Sequence, residues 1–410
     1  LYGDASDDPS KSIASNRVTF TNETKDGATT LGSISVSATG DSVVAANIKF
    51  DDDVLAADNA TDLKKKSLLT IDFQNEPTVE VAVNELGDDL KPTGETKAVG
   101  LAHVYAHAKN GDAVALQLAD GVNLRFTGDS ALFSELSAED LENQKRVGIF
   151  AYSESENQEQ KAVGIVLDGK AEGEAVGTPN FEEDTGYDQT LTFLVPTKIY
   201  AKSEVKNNGS AYSAAAAIGK ARANVPDNDN ILLNGSIKYD IGNNNEFLAT
   251  SSSSSHSSSA AIIGISVGYI QYGGFSMSGD SRYEIGNNNT LSATSSSSYS
   301  SAGVVLGASV GYASNTVRVS GDSRYKIGNN NTFSVTSSSD SCSSGVVIGA
   351  SAGLSDSSVG VSGDSRYEIG NDNILSATSS SSENSSGVVI GASFAGGYGG
   401  AYVSGNNIYR

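Results

Sequence analysis

The chain has 410 residues and a formal net charge of −22, with 27 Lys+Arg against 49 Asp+Glu, 44 Gly, 6 Pro, one Cys and no Trp. Hydrophobic residues make up 38% and charged residues 19%, so Ser, Gly, Asn and Thr fill the balance. This excludes a disulfide or cysteine-metal scaffold, since Cys342 stands alone; it also excludes a membrane span of ~18–20 apolar residues, the three-residue glycine period of collagen, and nucleic acid as a partner, whose phosphates an acidic surface repels.

Residues 1–205 read as an acidic, irregular β region. Apolar and polar residues alternate in short runs such as Val18-Thr19-Phe20, Ile34-Ser35-Val36, Leu69 to Phe73, Val114 to Leu118, Val122 to Phe126 and Leu191 to Val195. A period of two means strands with one buried face. Weak echoes of a later repeat sit at Val99-Gly100-Leu101, Val147-Gly148-Ile149 and Val163-Gly164-Ile165. The region is therefore either a decorated continuation of that repeat or a separate sandwich or capping domain. Ser137 to Leu141 has a capping-box pattern, and Asp58 to Lys66 is a second candidate short helix. Three acidic clusters, Asp51-Asp52-Asp53, Asp88-Asp89 and Glu182-Glu183-Asp184, offer the oxygen ligands calcium prefers, with Asp51, Asp52 and Asp53 the strongest candidate. His103 and His107 lie four apart on one face of a predicted strand, without an obvious third metal ligand. The single Met277 and the opening Leu1 suggest a processed chain or a fragment.

Residues 206–410 are a repeat. Gly279-Asp280-Ser281-Arg282-Tyr283-Glu284-Ile285-Gly286-Asn287-Asn288-Asn289 recurs from Gly321 and from Gly363, with looser copies from Gly235 and Gly405. An aliphatic-Gly pair returns about every 21 residues: Ile241, Ile263, Ile285, Leu306, Ile327, Ile348, Ile369 and Ile390, each followed by Gly (Gly242, Gly264, Gly286, Gly307, Gly328, Gly349, Gly370, Gly391). The spacing predicts coils of about 21 residues stacked into a right-handed parallel β-helix, an all-β solenoid. The aliphatic residues would form one ladder along its axis. The glycines would form one column of corners needing positive φ or close backbone approach. Eight such units would make a rod roughly 40 Å long. A lone coil buries too little to fold, since about six inward side chains at ~1.5–3 kcal/mol each fall short of the roughly 20–40 kcal/mol needed to order its backbone. The serine runs from Ser251, Ser295, Ser337 and Ser379 read as solvated strand or edge. The Asn triplets read as turns, with a continuous Asn ladder broken by the Ala308-Ser309 of intervening coils. Gly279 to Arg282 reads as a turn with Arg282 near Asp280.

The run Gly-Val-Val-Ile-Gly-Ala-Ser, with Asn-Thr-Val-Arg-Val-Ser-Gly-Asp-Ser, resembles the repeats of large secreted β-helix adhesins of bacteria, of the filamentous-haemagglutinin and leukotoxin-like kind. The resemblance covers about residues 210–410. It implies export to the cell surface and a role as an adhesive rod or filament. Partners would be surface glycans or proteins of host or neighbouring cells, or copies of the chain itself. No catalytic residue carries over, and no cofactor is implied apart from the calcium candidate. No Gly-x-Ser-x-Gly elbow or phosphate loop is present. The alternative expectations are a polysaccharide-active or tailspike-like enzyme and a passive glycan-binding face.

Overall fold

A computed structural model of the protein describes residues 15–20, 23–25, 28–30, 34–40, 43–48, 68–73, 83–86, 92–97, 102–109, 111–119, 123–128, 147–156, 160–168, 189–207, 210–218, 222–225, 231–234, 237–270, 275–278, 280–297, 299–313, 317–338, 341–355, 358–379, 385–397 and 400–410. Among these every regular element is a strand. The predicted helices at Asp58 to Lys66 and Ser137 to Leu141 lie outside the described residues, as do Asp51, Asp52 and Asp53.

The strands form parallel sheets that the chain revisits in a fixed order. Sheet I stacks nine strands from Ser15–Phe20 to Asn407–Tyr409, through Gln189–Phe193, Ile237–Ile241, Ser281–Ile285, Ser323–Ile327 and Ser365–Ile369. Sheet II stacks eight, from Ile34–Gly40 through Ala102–Lys109, Val147–Ser155, Thr197–Val205, Glu246–Ser253, Thr290–Ser296 and Thr332–Ser338 to Ile374–Ser379. Sheet III runs from Val43–Ile48 to Ser385–Gly397, and its later strands are 13 to 15 residues long. A fourth sheet stacks five short strands, from Ile231–Asn234 to Gly400–Val403, and among the described residues it begins in the second half. Sheets I, II and III all cross the boundary at residue 205, sheet III where Gln160–Asp168 pairs with Ser210–Ile218. Two antiparallel hairpins, Glu23–Lys25 with Ala28–Thr30 and Val83–Leu86 with Pro92–Lys97, are inserted between visits to sheets I and II.

The register corrects the expected coil length. Tyr283 pairs with Tyr325 and Tyr325 with Tyr367, and the stacked asparagines are likewise 42 residues apart, or 44 at the first step. The 21-residue phase is half a turn. The eight aliphatic residues therefore form two ladders on different walls: Ile241, Ile285, Ile327 and Ile369 in sheet I, and Ile263, Leu306, Ile348 and Ile390 in sheet III. With one strand spacing of ~4.8 Å per 42 residues, the part from Ile241 onward stacks to about 20 Å rather than 40, and the nine strands of sheet I together span about 40 Å.

The core follows from the alternation. Tyr283 and Ile285 from sheet I, Leu291 and Ala293 from sheet II, and Val304 and Leu306 from sheet III are buried and pack together, while Glu284, Ser292 and Val305 point outward. The strand Tyr299–Ala313 bends at Gly307, whose φ is +67°. Beyond the bend sheet III turns toward sheet IV, where Val317, Val319, Val359 and Val361 are buried. A methyl group on Gly353 would lie 2.6 Å from Val359 and 3.1 Å from Val317, so the two layers are in close contact there.

Candidate functional site

Ladders of identical side chains hold the regular half. The rings of Tyr239, Tyr283, Tyr325, Tyr367 and Tyr409 stack in sequence at 4.8–5.2 Å between centroids, the first four within 6° of parallel. The glycines divide into two kinds. Gly264, Gly307, Gly349 and Gly391 have φ between +66° and +68°, and an added Cβ would strike the hydroxyl end of the tyrosine beneath each one. Gly242, Gly286, Gly328 and Gly370 serve close approach instead: a Cβ there would meet backbone of the preceding turn at 2.6–2.9 Å.

The asparagine triplets form a continuous ladder, because a 42-residue turn leaves no intervening coil. Asn245, Asn289 and Asn331 are fully buried, and the Nδ2 of each donates to Oδ1 of the next at 3.0–3.1 Å, ending on Asn373. Asn243, Asn287 and Asn329 form a second ladder in which each Oδ1 accepts the backbone N–H of its successor at 2.7 Å. The serine runs differ from the solvated edge expected. Ser251, Ser295 and Ser337 are fully buried at the corner between sheets II and III. There Ser251 Oγ lies 2.6 Å from Ser259 Oγ and Ser257 Oγ 2.6 Å from Ser295 Oγ. Only the alternate residues, such as Thr294, Thr336 and Ser338, face solvent. Arg282 Nη2 donates to Glu284 Oε1 at 2.6 Å, while Asp280 Oδ1 accepts the N–H of Asp322.

The outer face of sheet II changes character between the halves. From Thr290–Ser296 onward two of its outward columns are small: Ser292, Ser334 and Ser376 in one, Thr294, Thr336 and Thr378 in the next. In the three strands Ala102–Lys109, Val147–Ser155 and Thr197–Val205 the same columns hold Tyr105, Phe150 and Tyr200, then His107, Tyr152 and Lys202, then Lys109, Glu154 and Glu204. Here Tyr152 is buried, with Phe150 and Tyr200 packed against it. Its hydroxyl donates to Glu204 Oε2 at 2.8 Å, with Glu154 Oε2 at 3.1 Å. His107 Nε2 lies 3.0 Å from Glu154 Oε1, and the imidazole stacks on Tyr152. Lys202 Nζ reaches Glu204 Oε1 at 2.9 Å and sits over the Tyr152 ring. Burial, the hydrogen bond to Glu204 and the two carboxylate charges push the Tyr152 phenol far above its ordinary pKa, so it stays protonated.

His107 is thus tied to a carboxylate and an aromatic ring. His103 occupies the same strand, opposite Gly148. Among the described residues no group of three or more His, Cys, Asp or Glu could hold a metal ion, and no helix is long and apolar enough to cross a membrane. The acidic stretches Asp88-Asp89 and Glu182 to Asp184 lie outside the described residues. The sequence reading missed Tyr152, Glu154, Lys202 and Glu204. A signal was present: Val104-Tyr105-Ala106-His107-Ala108-Lys109, Ile149-Phe150-Ala151-Tyr152-Ser153-Glu154 and Ile199-Tyr200-Ala201-Lys202-Ser203-Glu204 share one phase with Leu291-Ser292-Ala293-Thr294-Ser295-Ser296. Comparison with family models, curated proteins and solved structures finds no match.

Proposed function

We propose that the chain is a right-handed parallel β-helix that serves as an extracellular rod on a bacterial surface, adhesive or filament-forming. Its work would be done by shape and surface rather than by catalysis. Partners would be glycans or proteins of neighbouring cells, or further copies of the chain. The observation that carries this reading is the unbroken columnar stacking. Tyrosine, asparagine and aliphatic residues repeat on themselves at one strand spacing, which gives a quasi-one-dimensional body stabilised by nearest neighbours. Right-handedness follows from the preference of parallel crossover connections. The Asp and Arg of the Gly-Asp-Ser-Arg-Tyr motif, shared by the copies from Gly279, Gly321 and Gly363, fit turns and ion pairs better than chemistry, since the same pair returns in three successive turns while Glu284 is replaced by Lys326 in the middle one.

Two measurements test the proposal together. Electron microscopy of the purified chain should show elongated particles, and aligned specimens should give an axial reflection near ~4.8 Å. The immobilised chain should also capture whole cells saturably. Compact globules without that reflection, or steady depolymerisation of a polysaccharide by the chain, would sink the reading.

A further inference from the structure

We infer that the far face of the last turn, edged by Ile374–Ser379, Ser385–Gly397 and Asn407–Tyr409, receives the opposite end of a second copy of this chain, so that copies stack head to tail. The inference rests on the rod reading above. Among the partners that reading allows, it selects a second copy and names the surface that receives it.

This tail face is core laid open. Val388 is 45% exposed, whereas Val304 and Val346, which precede it in the same column of sheet III, are 0% exposed. Tyr409 stacks on Tyr367 at 5.0 Å and is 55% exposed, whereas Tyr325 and Tyr367 below it are 4% and 1%. All but Leu194 of the exposed large hydrophobic side chains among the described residues lie in this turn, between Ile374 and Tyr409. Apolar exposure gathered on one surface marks an interaction site. A solenoid end that faces water replaces its core residues by polar ones. The last turn makes no such replacement: Ser365 to Gly370 repeats Ser281 to Gly286, Leu375 to Thr378 repeats Leu291 to Thr294, and Gly387 to Ser393 repeats Gly345 to Ser351.

The two ends of the stack identify the occupant. Asn407–Tyr409, Ile374–Ser379 and Ser385–Gly397 are the terminal strands of sheets I, II and III at the tail. Ser15–Phe20, Ile34–Gly40 and Val43–Ile48 are the terminal strands of the same sheets at the head. Both ends therefore present the same three walls in the same order, and the terminal pairings are parallel at each end. A strand paired on one side is a template for another. A second copy laid head on tail continues all three sheets at once, in the parallel sense they already use. The phase agrees as well: Val36 and Leu375 are the two ends of one register column, and Ala38 and Ala377 of the column two residues on. Turning one copy over, tail to tail, reverses the order of the walls around the axis, so at most one wall could meet its own kind. Head-to-tail contact joins two different surfaces and does not close on itself, so it grows into a filament.

The test is association of the intact chain from about 1 to 100 μM in ~0.5 M salt, which screens repulsion between copies of net charge −22. Light scattering and electron microscopy should show a series of species of one width that lengthen in steps of about 40 Å. Val388→Asp, which sets a carboxylate on the tail face, should weaken association at least about tenfold. Thr336→Asp, the same charge on the exposed outer face of sheet II, should leave it unchanged. Val388→Asp keeps its head, so mixed in equal amount with the unaltered chain it should end growing stacks and shorten them. Thermal unfolding of each variant separates lost association from lost fold; if Val388→Asp unfolds, Tyr409→Ser replaces it. A chain that stays monomeric throughout, assembly that stops at dimers, or a tail variant that assembles like the unaltered chain would overturn the inference. Elongated single particles that never join would reject this junction while leaving the rod intact, whereas compact globules without the axial reflection would remove both.

Discussion

Within each Asn-Asn-Asn turn the three residues have three different tasks. The first lends its Oδ1 to the next turn's backbone, the third buries its amide in the ladder, and the middle one adopts φ of +57° to +59° (Asn244, Asn288, Asn330, with Asp372 in the last copy). Replacing Asn331 by Leu removes the acceptor of the Asn289 backbone N–H and amide, and the donor to Gly286 O. Each buried group left unpaired costs about 1–3 kcal/mol, so a loss of at least ~3 kcal/mol should appear in chemical denaturation. Glycine positions divide just as sharply. Gly349→Ala should cost about 2 kcal/mol or more, because φ is +67° and the new Cβ meets Tyr367 Oη. Gly387→Ala, with nothing near its Cβ and no unusual φ, should stay within about 0.5 kcal/mol. The sequence showed that all these positions recur. It could not assign the tasks, since each depends on which atom of the neighbouring turn lies alongside.

At the scale of elements, the columns have a pH dependence of known sign. Burial raises the pKa of Asp280; the hydrogen bond from Asp322 opposes this and the Asp322 charge adds to it. The folded state therefore holds a proton that the unfolded state releases first. Asp280 thus favours folding below the ordinary carboxylate pKa, and that contribution is lost as pH rises through the raised value. The Asp280, Asp322 and Asp364 column ends on Asn406, whose backbone N–H also bonds Asp364 Oδ1. Changing all three aspartates to Asn keeps the acceptor and removes the like-charge neighbours. It should raise the unfolding midpoint at pH 7, by up to about 1 kcal/mol per neighbour contact relieved, and do little near pH 3. For Glu284 burial acts upward, but the Arg282 hydrogen bond and the Lys238 and Arg282 charges prevail, so its pKa is lowered. Its contribution is present above the ordinary carboxylate pKa and lost as acid protonates it. The tyrosine ladder acts at the alkaline end. Burial holds Tyr239, Tyr283 and Tyr325 well above 10, and pushes Tyr367 up to about 12. The unfolded chain ionises first, so stability falls as pH rises past ~10. In a spectrophotometric titration, phenolate from these residues should appear only as the strands unfold. Ionisation at an ordinary pKa with the fold retained would contradict the buried stack.

At the scale of the whole chain, strand formation, period-two burial, the 42-residue recurrence and the acidic, irregular first half were all readable from residues alone. Alternation of apolar and polar side chains forces one buried face, and exact repetition leaves the same interactions to be made each time. What the tertiary structure decided was the turn length. Both halves of the 42-residue unit carry an inward aliphatic residue followed by Gly, because both corners require Gly, one for positive φ and the other for backbone contact. By sequence the two corners look alike, which gave 21. Stacking distinguishes them: Tyr meets Tyr and Asn meets Asn only at a full 42 residues, and only that register lets the buried amides satisfy one another. The same applies to the first half. Its alanine-phased strands share one phase with the repeat, but intervening stretches of sequence of variable length hide the period. The cluster around Tyr152 exists because strands some 45–50 residues apart in sequence are brought to one strand spacing, and one-dimensional spacing does not encode that proximity.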